Sequence, residues 1–380
     1  MKRRIFVLTG LLVLALLSGC KRQPEEATGS AEPVTIKVGH VGHDHHTALF
    51  VAMDHAADYT STTGVQVKVI EDQKLYELTE KGRKIATVEI VKVGGGSKMP
   101  TALAQGVIDI GFGGVAPVLA AVDSGVPIRL IAPLHYKGDM FVVRPDFEAE
   151  TWDEFVAIAQ AASKPLRIGY KSPVACAKVI FEEALKHEGI TFGGDPSAEG
   201  LQVQMINVKG GGKLNVALSG NLVDGYVGNN PFPSIAMEKD LGRVICDLEA
   251  LPPGTFRDHP CCCIAATTAA LDEKSEAITA LLRLFVHGTG TINSDVDKAV
   301  AAACRWIGTS EAVERRSIPA SGYSMEVSPL WRQTMGQWIA TLNRLDVFRG
   351  RLKDLPVEDV SELAYDFALL NEAKGQSAER

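Results

Sequence analysis

VGGGSKMPTALAQGVIDIGFGGVAP, Val93–Pro117, and KGGGKLNVALSGNLVDGYVGNNP, Lys209–Pro231, are two versions of one phrase. Each runs through a triple glycine, a basic residue, Ala-Leu, a polar turn, an apolar-Asp pair, a short strand, and a small or amide pair before proline. Ala102-Leu103 stand six residues ahead of Ile108-Asp109, as Ala217-Leu218 stand six ahead of Val223-Asp224. The triplet Arg129-Leu130-Ile131 answers Arg243-Val244-Ile245 in the same order. Chance likeness between glycine-rich turns copies one or two such features, not their sequence, so the chain is predicted to hold one α/β unit twice.

Outward from the two copies, short β-type runs alternate with helical ones, the pattern of parallel α/β sheets. Strands are predicted at 35–39, 65–70, 88–93, 108–111 and 128–133, then at 167–170, 201–207, 223–227 and 243–247. Helices are predicted at 47–59, 98–105, 152–162 and 175–188, each opening near a Ser, Thr, Pro or Asp. Between Glu71 and Val88 two charged, alternating arms flank Lys81-Gly82 and read as a surface hairpin. From Glu273 the pattern turns helical, with Ile278, Leu281, Leu282, Phe285 and Val286 on one core-facing stripe. Further helices are expected at 295–307, 329–345 and 357–370. Crossings between lobes are expected near Leu134–Gly138 and Cys263–Thr267, giving lobe I as 34–134 plus 267–380 and lobe II as 135–266.

The N-terminus sets a compartment. Lys2, Arg3 and Arg4 precede the apolar run Ile5–Leu17, which is shorter than the ~20 residues a membrane span requires, so 1–19 reads as a signal peptide. Leu17-Ser18-Gly19-Cys20 resembles the lipobox of bacterial lipoproteins, implying cleavage before Cys20, lipidation of its thiol and a membrane-anchored, extracytoplasmic protein. Residues 20–33 are polar and rich in Glu, Gly, Ser and Pro, as a tether should be. With a net charge of −7 and no basic block beyond the signal, nucleic acid is excluded as an expected partner. Spacing leaves the state of the six other cysteines open, but consecutive Cys261, Cys262 and Cys263 are ill placed to bridge one another.

The chain resembles the nitrate, sulfonate and taurine branch of ABC-transporter solute-binding proteins over nearly its whole mature length. The resemblance rests on Lys37–Thr47, on the block Pro100–Phe112, on Gly113-Gly114-Val115-Ala116-Pro117, on Lys137-Gly138 before a Val-rich strand, and on Ser219–Asp224 leading to Asn229-Asn230-Pro231. It implies an α/β, two-lobe periplasmic-binding-protein fold of type II, each lobe a mainly parallel sheet flanked by helices, closed by C-terminal helices. It further implies a monomer that captures a small ligand, such as a sulfonate- or nitrate-like anion or a related organic molecule. Such a protein delivers its ligand to a membrane permease, with no chemistry and no required cofactor.

Ligands of open sheets bind beyond the C-terminal strand ends, where helix N-termini offer free N–H groups. The expected ligand-binding residues are therefore His40, His43, His45, His46, Gly96, Gly113, Gly114, Lys137, Tyr170, Ser172, Asn229 and Asn230. The loop His40–His46 departs from the family pattern, with four of the nine histidines and Asp44 together. It admits three readings: a divalent metal held by His43, His45, His46 and Asp44, with His135 completing or orienting the set; imidazoles that hydrogen-bond an anion or ring; or Asp44 as a helix cap beside solvated histidines. Cys261–Cys263 reads first as core strand. The sharper reading comes from thiamine-pyrimidine synthases and pyrimidine-precursor binding proteins, which carry a cysteine-rich run on this fold, although Ala265 stands where a further cysteine would. If thiols reach the cleft, strand alternation admits Cys262 alone or Cys261 with Cys263. No Ser-His-Asp order, phosphate loop or His-Glu-x-x-His pattern supports an enzyme.

Overall fold

The structure, a computed structural model, describes residues 32–95 and 98–376. The signal peptide, Cys20, the tether up to Ala31 and Gly96 lie outside the described residues. Among the described residues fourteen strands form two sheets. In chain order they are β1 (Val34–His40), β2 (Val65–Glu71), β3 (Leu75–Glu80), β4 (Arg83–Lys92), β5 (Ile110–Gly114), β6 (Ile128–Lys137) and β7 (Asp139–Val143). There follow β8 (Leu166–Tyr170), β9 (Phe192–Gly193), β10 (Val203–Asn207), β11 (Gly225–Asn229), β12 (Arg243–Asp247), β13 (Pro260–Thr267) and β14 (Ser321–Tyr323). The first sheet has the order β14-β6-β13-β5-β1-β4-β3-β2, the second β12-β7-β11-β8-β10-β9.

Aligned, the run β6-β13-β5-β1-β4 matches β12-β7-β11-β8-β10 strand for strand, and the directions agree. Each sheet has a parallel centre, and antiparallel pairing is confined to the crossing strands and, in the first sheet, to the β2–β3–β4 meander and β14. The two aspartates of the sequence echo hold equivalent posts. The Lys37 N–H donates to Asp109 Oδ2 at 2.7 Å and the Arg167 N–H to Asp224 Oδ2 at 2.8 Å. Each aspartate returns its own N–H to the same strand residue's carbonyl at 2.8 Å. A cation closes each carboxylate, Lys274 on Asp109 at 2.8 Å and Arg167 on Asp224 at 2.7 Å. A short side chain that accepts a backbone N–H at the entrance to a sheet and also meets a cation is best supplied by Asp.

Several expectations shift. The helix expected over 47–59 breaks at His55 into Thr47–Asp54 and Ala56–Thr63. The one expected over 357–370 splits into Val357–Ala364 and Ala368–Ala373, because Tyr365 leaves the helix to bridge Leu130 on the sheet and the Asp366 N–H donates to the Leu130 carbonyl at 3.0 Å. Of the two crossings, the first falls within the expected Leu134–Gly138 and only the return is displaced. β6 stays in the first sheet to Lys137 and the chain turns at Gly138, while all of β13 pairs with β6 from Pro260↔Tyr136 to Thr267↔Ile128. The return crossing therefore precedes Pro260, not Cys263–Thr267, since the two strands hold each other in the first sheet along their length. The helix Ser275–Ser294 buries its apolar stripe against Thr47–Asp54. Its contact is close enough that a Cβ at Gly288 would sit 2.8 Å from the Ala48 carbonyl oxygen. Among the described residues no helix is long and apolar enough to cross a membrane.

If the two aspartates are equivalent, Asp109→Ala and Asp224→Ala will each orphan one strand-entry N–H and lower stability by about 2 kcal/mol. Denaturant unfolding of both variants checks this; a loss in one and none in the other would show that the copies are not built alike.

Candidate functional site

Beyond the C-terminal end of β1 the chain passes Val41-Gly42-His43 into a 3₁₀ turn, Asp44–His46, and then the helix Thr47–Asp54. The turn is pinned locally. Thr47 Oγ1 donates to the Asp44 carbonyl at 2.6 Å, Tyr323 O–H to the same carbonyl at 2.9 Å, and the Val41 N–H to His46 Nδ1 at 3.0 Å. That last bond makes Nδ1 the acceptor and leaves the proton of neutral His46 on Nε2. His43 and His46 lie ring against ring at 4.3 Å, His45 is 5.4 Å from His43, and His45 meets His135 of β6 at 3.8 Å. All are buried. Burial first, then the charges of neighbouring histidines and Lys171, pushes His43, His45 and His46 well below the usual imidazole range, so these rings are neutral at pH 7.

Opposite this loop lies the cysteine strand, where alternation fails. β13 is bulged against β6 between Pro260 and Cys262 and again between Cys262 and Cys263, where its partner jumps from His135 to Pro133. Proline has no N–H for the ladder and sits inside sheets at such irregularities. As a result consecutive Cys261 and Cys262 both reach His45 Nδ1, at 3.5 and 3.8 Å, while Cys263 stays in the core. The expectation that strand alternation pairs Cys261 with Cys263, or leaves Cys262 alone, is corrected by the bulge. Burial pushes all three thiols up. For Cys262 the hydrogen bond from Cys261, His135 and Lys171 outweigh burial and bring it down to about 6. Cys261 moves the other way, raised by burial and by Cys176, Cys262 and Asp139, so the adjacent pair holds one thiol and one thiolate. Cys261 Sγ also donates to Asp139 Oδ2 at 3.0 Å, and Asp139 lies 3.6 Å from His259 Nε2. None of the six described cysteines is in a disulfide.

The ligating atoms of His45, His135, Cys261 and Cys262 lie within 4.8 Å of one another. Of the four residues expected to hold a metal, only His45 is in that set. Asp44 turns away: its carboxylate oxygens make no protein hydrogen bond, and burial followed by the nearby Glu314 carboxylate raises its carboxyl well above the usual range. It does not cap the turn either, since the position before it, His43, is the cap and no side chain accepts there.

The remaining site candidates scatter. His40 leaves the cluster, packing edge-on against Phe50 at 5.3 Å and Trp306 at 5.9 Å beside a separate depression lined by Lys92 and Asp72. Lys137 pairs with Glu249 at 3.3 Å, and Tyr170 lies under Lys178; neither lines the cleft. Asn230 is spent inside the protein, accepting from Ser234 at 3.0 Å and donating to the Ser317 carbonyl at 3.4 Å. Asn229 accepts from Lys171 and donates to the Asn230 carbonyl. Gly113, Gly114, Ser172, His43 and His46 do line a small enclosed void of about 20 Å³ with Lys171, Asp139 and Cys176. Asp139 and Cys176 have no motif of their own in the sequence; Asp139 is marked only by following the crossing glycine, Gly138.

Outside this floor opens a cleft of about 620 Å³. Gly94-Gly95 from the first sheet and Gly210–Gly212 from the second line it together, so the two glycine turns face one another. Lys92, Lys171, Lys209 and Lys213 line it as well, and no carboxylate does among its described residues. In a chain of net charge −7 that is a local reversal of sign.

The model of the NMT1-like family matches residues 29–308. An uncharacterized protein of Methanocaldococcus jannaschii is 33% identical over 136 residues, 35% of this chain and 90% of that protein. Among solved structures, the zinc-bound ligand-binding component of an ABC-type import system from Staphylococcus aureus gives a TM-score of 0.68 at 17% identity, covering 89% of this chain and 98% of that one. The periplasmic nitrate-binding protein NrtA of Synechocystis gives 0.69 at 13%, covering 90% and 89%. The alkanesulfonate-binding protein SsuA of Xanthomonas axonopodis pv. citri, bound to MOPS, gives 0.63 at 16%, covering 88% and 99%. At these identities the likeness is one of fold, the periplasmic binding protein architecture.

His40 supplies a pH test free of the cluster. Burial and Lys92 lower it from 6.5 to about 4. The unfolded chain therefore binds a proton that the folded one refuses, and the His40 contribution is present above pH 6.5 and lost as pH falls towards 4. His40→Phe removes that loss, so its stability relative to the parent will rise by about 1.4 kcal/mol for each pH unit lowered through the window. Unfolding at pH 7.5, 6 and 5 measures it; a gap that does not change with pH would refute the assignment.

Proposed function

The chain belongs to the NMT1-like family, and from that premise we propose that it is the extracytoplasmic solute-binding component of an ABC importer, lipid-anchored through Cys20, that captures a small anion without chemical change. One observation carries the reading. Equivalent glycine turns of two equivalent sheets face each other across a cleft whose charged lining is four lysines and no acid among the described residues. Backbone N–H groups at such turns and ammonium groups behind them are what an anionic solute requires, and closure of two lobes about it excludes water. The fold likeness to nitrate- and alkanesulfonate-binding proteins supports the same class of ligand. Lys171 is the central donor: it borders both the cleft and the enclosed floor and is held by Asn229 at the end of β11. The partner is a permease that accepts the loaded, closed form, and the protein works as a monomer with no cofactor required for capture.

Native mass spectrometry of the purified mature chain should show a one-to-one small-molecule adduct that leaves on denaturation with its mass unaltered. Calorimetry with that ligand, or with a panel of nitrate, sulfonates and small carboxylates, should give saturable binding. Lys171→Gln should weaken it at least tenfold, about 1.4 kcal/mol. No binding of any anion, or equal affinity in the variant, would overturn the reading, and so would conversion of the ligand.

A further inference from the structure

We infer that His45, His135, Cys261 and Cys262 form a binding site for one zinc-class cation, a soft tetrahedral ion, buried in the first sheet beneath the cleft. The four residues come from three separate segments, the turn after β1, strand β6 and the bulged start of β13, and their ligating atoms lie within 4.8 Å of one another. Spacing decides the chemistry. Bonds of about 2.0 Å to nitrogen and about 2.3 Å to sulfur at a tetrahedral angle place N and S about 3.6 Å apart. His45 Nδ1 stands 3.5 Å from Cys261 Sγ and 3.8 Å from Cys262 Sγ. Both lengths also suit S–H···N contacts, and together they match two edges of one coordination polyhedron.

The ring of His135 is already oriented. Its Nδ1 lies 3.3 Å from the Tyr136 carbonyl, which can only accept, so Nδ1 carries the proton and the lone pair is on Nε2. That Nε2 is buried and has no protein hydrogen-bond partner. Without the ion Cys261 Sγ donates to Asp139 Oδ2 at 3.0 Å, with His259 Nε2 3.6 Å from the same carboxylate, so coordination displaces that proton from between Cys261 and Asp139. Two sulfurs and two imidazole nitrogens exclude magnesium and calcium, which take oxygen, and select zinc or its close analogues. Four protein ligands leave no open position, so the ion's work is to hold. It ties the turn bearing His43 and His46 to the β6–β13 pair, which fixes those two rings at the cleft floor. The site stands on the first sheet and does not depend on which solute the cleft carries.

The mature chain, stripped with a chelator and titrated with zinc, should take up one equivalent per chain. Cobalt(II) in its place should give the intense visible absorption of tetrahedral coordination with sulfur-to-cobalt charge transfer. Cys261→Ser with Cys262→Ser, and separately His135→Gln, should each lower zinc affinity at least a hundredfold, while Asp44→Asn should leave it within about threefold. If the cysteine pair variant does not fold, the cobalt spectrum of the parent and the His135→Gln titration decide the matter. No zinc uptake, a weak octahedral cobalt spectrum, or an Asp44→Asn loss equal to that of the other variants would overturn the site. Anion binding measured on the zinc-free protein reports on the cleft separately, so failure here and failure there are told apart.

Discussion

One missing donor shapes the centre of this protein. Pro133 lies inside β6 opposite Cys263 of β13, short of the stretch His135–Lys137 that pairs with β14, and it is the one residue of β6 with no N–H to give to a ladder. The β6–β13 ladder slips on either side of Cys262, and the slip between Pro260 and Cys262, where Cys261 is the extra residue of β13, turns two consecutive cysteines towards one histidine. Had the ladder been regular, one of the pair would have faced the opposite side of the sheet. The same two strands carry the chain into and out of the second sheet, so the irregularity stands where the two sheets exchange chain.

Imidazoles packed into a protein are costly company. His43, His45, His46 and His135 each keep a buried ring nitrogen without a protein partner, and an unsatisfied buried polar atom costs about 1–3 kcal/mol. Four such atoms weigh several kcal/mol, comparable to the net stability of an ordinary domain. The opposing weight is the apolar core of the first sheet, where Phe112, Phe285, Trp331 and Trp338 are fully buried around the helices that return after the crossing. The loop is thus held in an unfavourable state by rigid surroundings, and a bound partner that satisfies those nitrogens recovers free energy that folding alone does not.

What the sequence shows depends on how far each signal reaches along the chain. Lys81-Gly82 closes a hairpin between β3 and β4 as its turn chemistry requires, with both residues at positive φ. The duplicated phrase is legible because every part of it acts locally, the aspartate included. The fate of Asn230 is not, since the atoms that consume its amide lie at Ser234 and, far along the chain, Ser317. His40 and His43 are three residues apart, yet one closes a strand against Phe50 and Trp306 while the other enters the cleft, a parting set by a turn whose pins include Tyr323. The prolines that border the slips, Pro133 and Pro260, are visible in the sequence, but the pairing that brings them together joins strands more than a hundred residues apart.

The duplicated architecture also shows where the copies have parted. Asp139 pairs with Asn229 at the start of β7, and Cys262 pairs with Gly114 in β13. In the aligned copies Gly114 and Asn229 are the same position, so Asp139 and Cys262 are too. One duplicated unit thus offers a carboxylate, the other a thiolate, and the neighbouring thiol of Cys261 bonds to that carboxylate at 3.0 Å. Gly114 stays small where a Cβ would stand 3.1 Å from Cys176 Sγ, while Asn229 grew an amide that holds Lys171. Backbone, aspartate post and strand order are common to both halves; charge and ligating chemistry differ at the positions that meet. The hydrogen bond that joins the halves at the floor is made not by the equivalent pair but by the neighbour of Cys262, the protonated Cys261, whose donation to Asp139 lets the sheets close there.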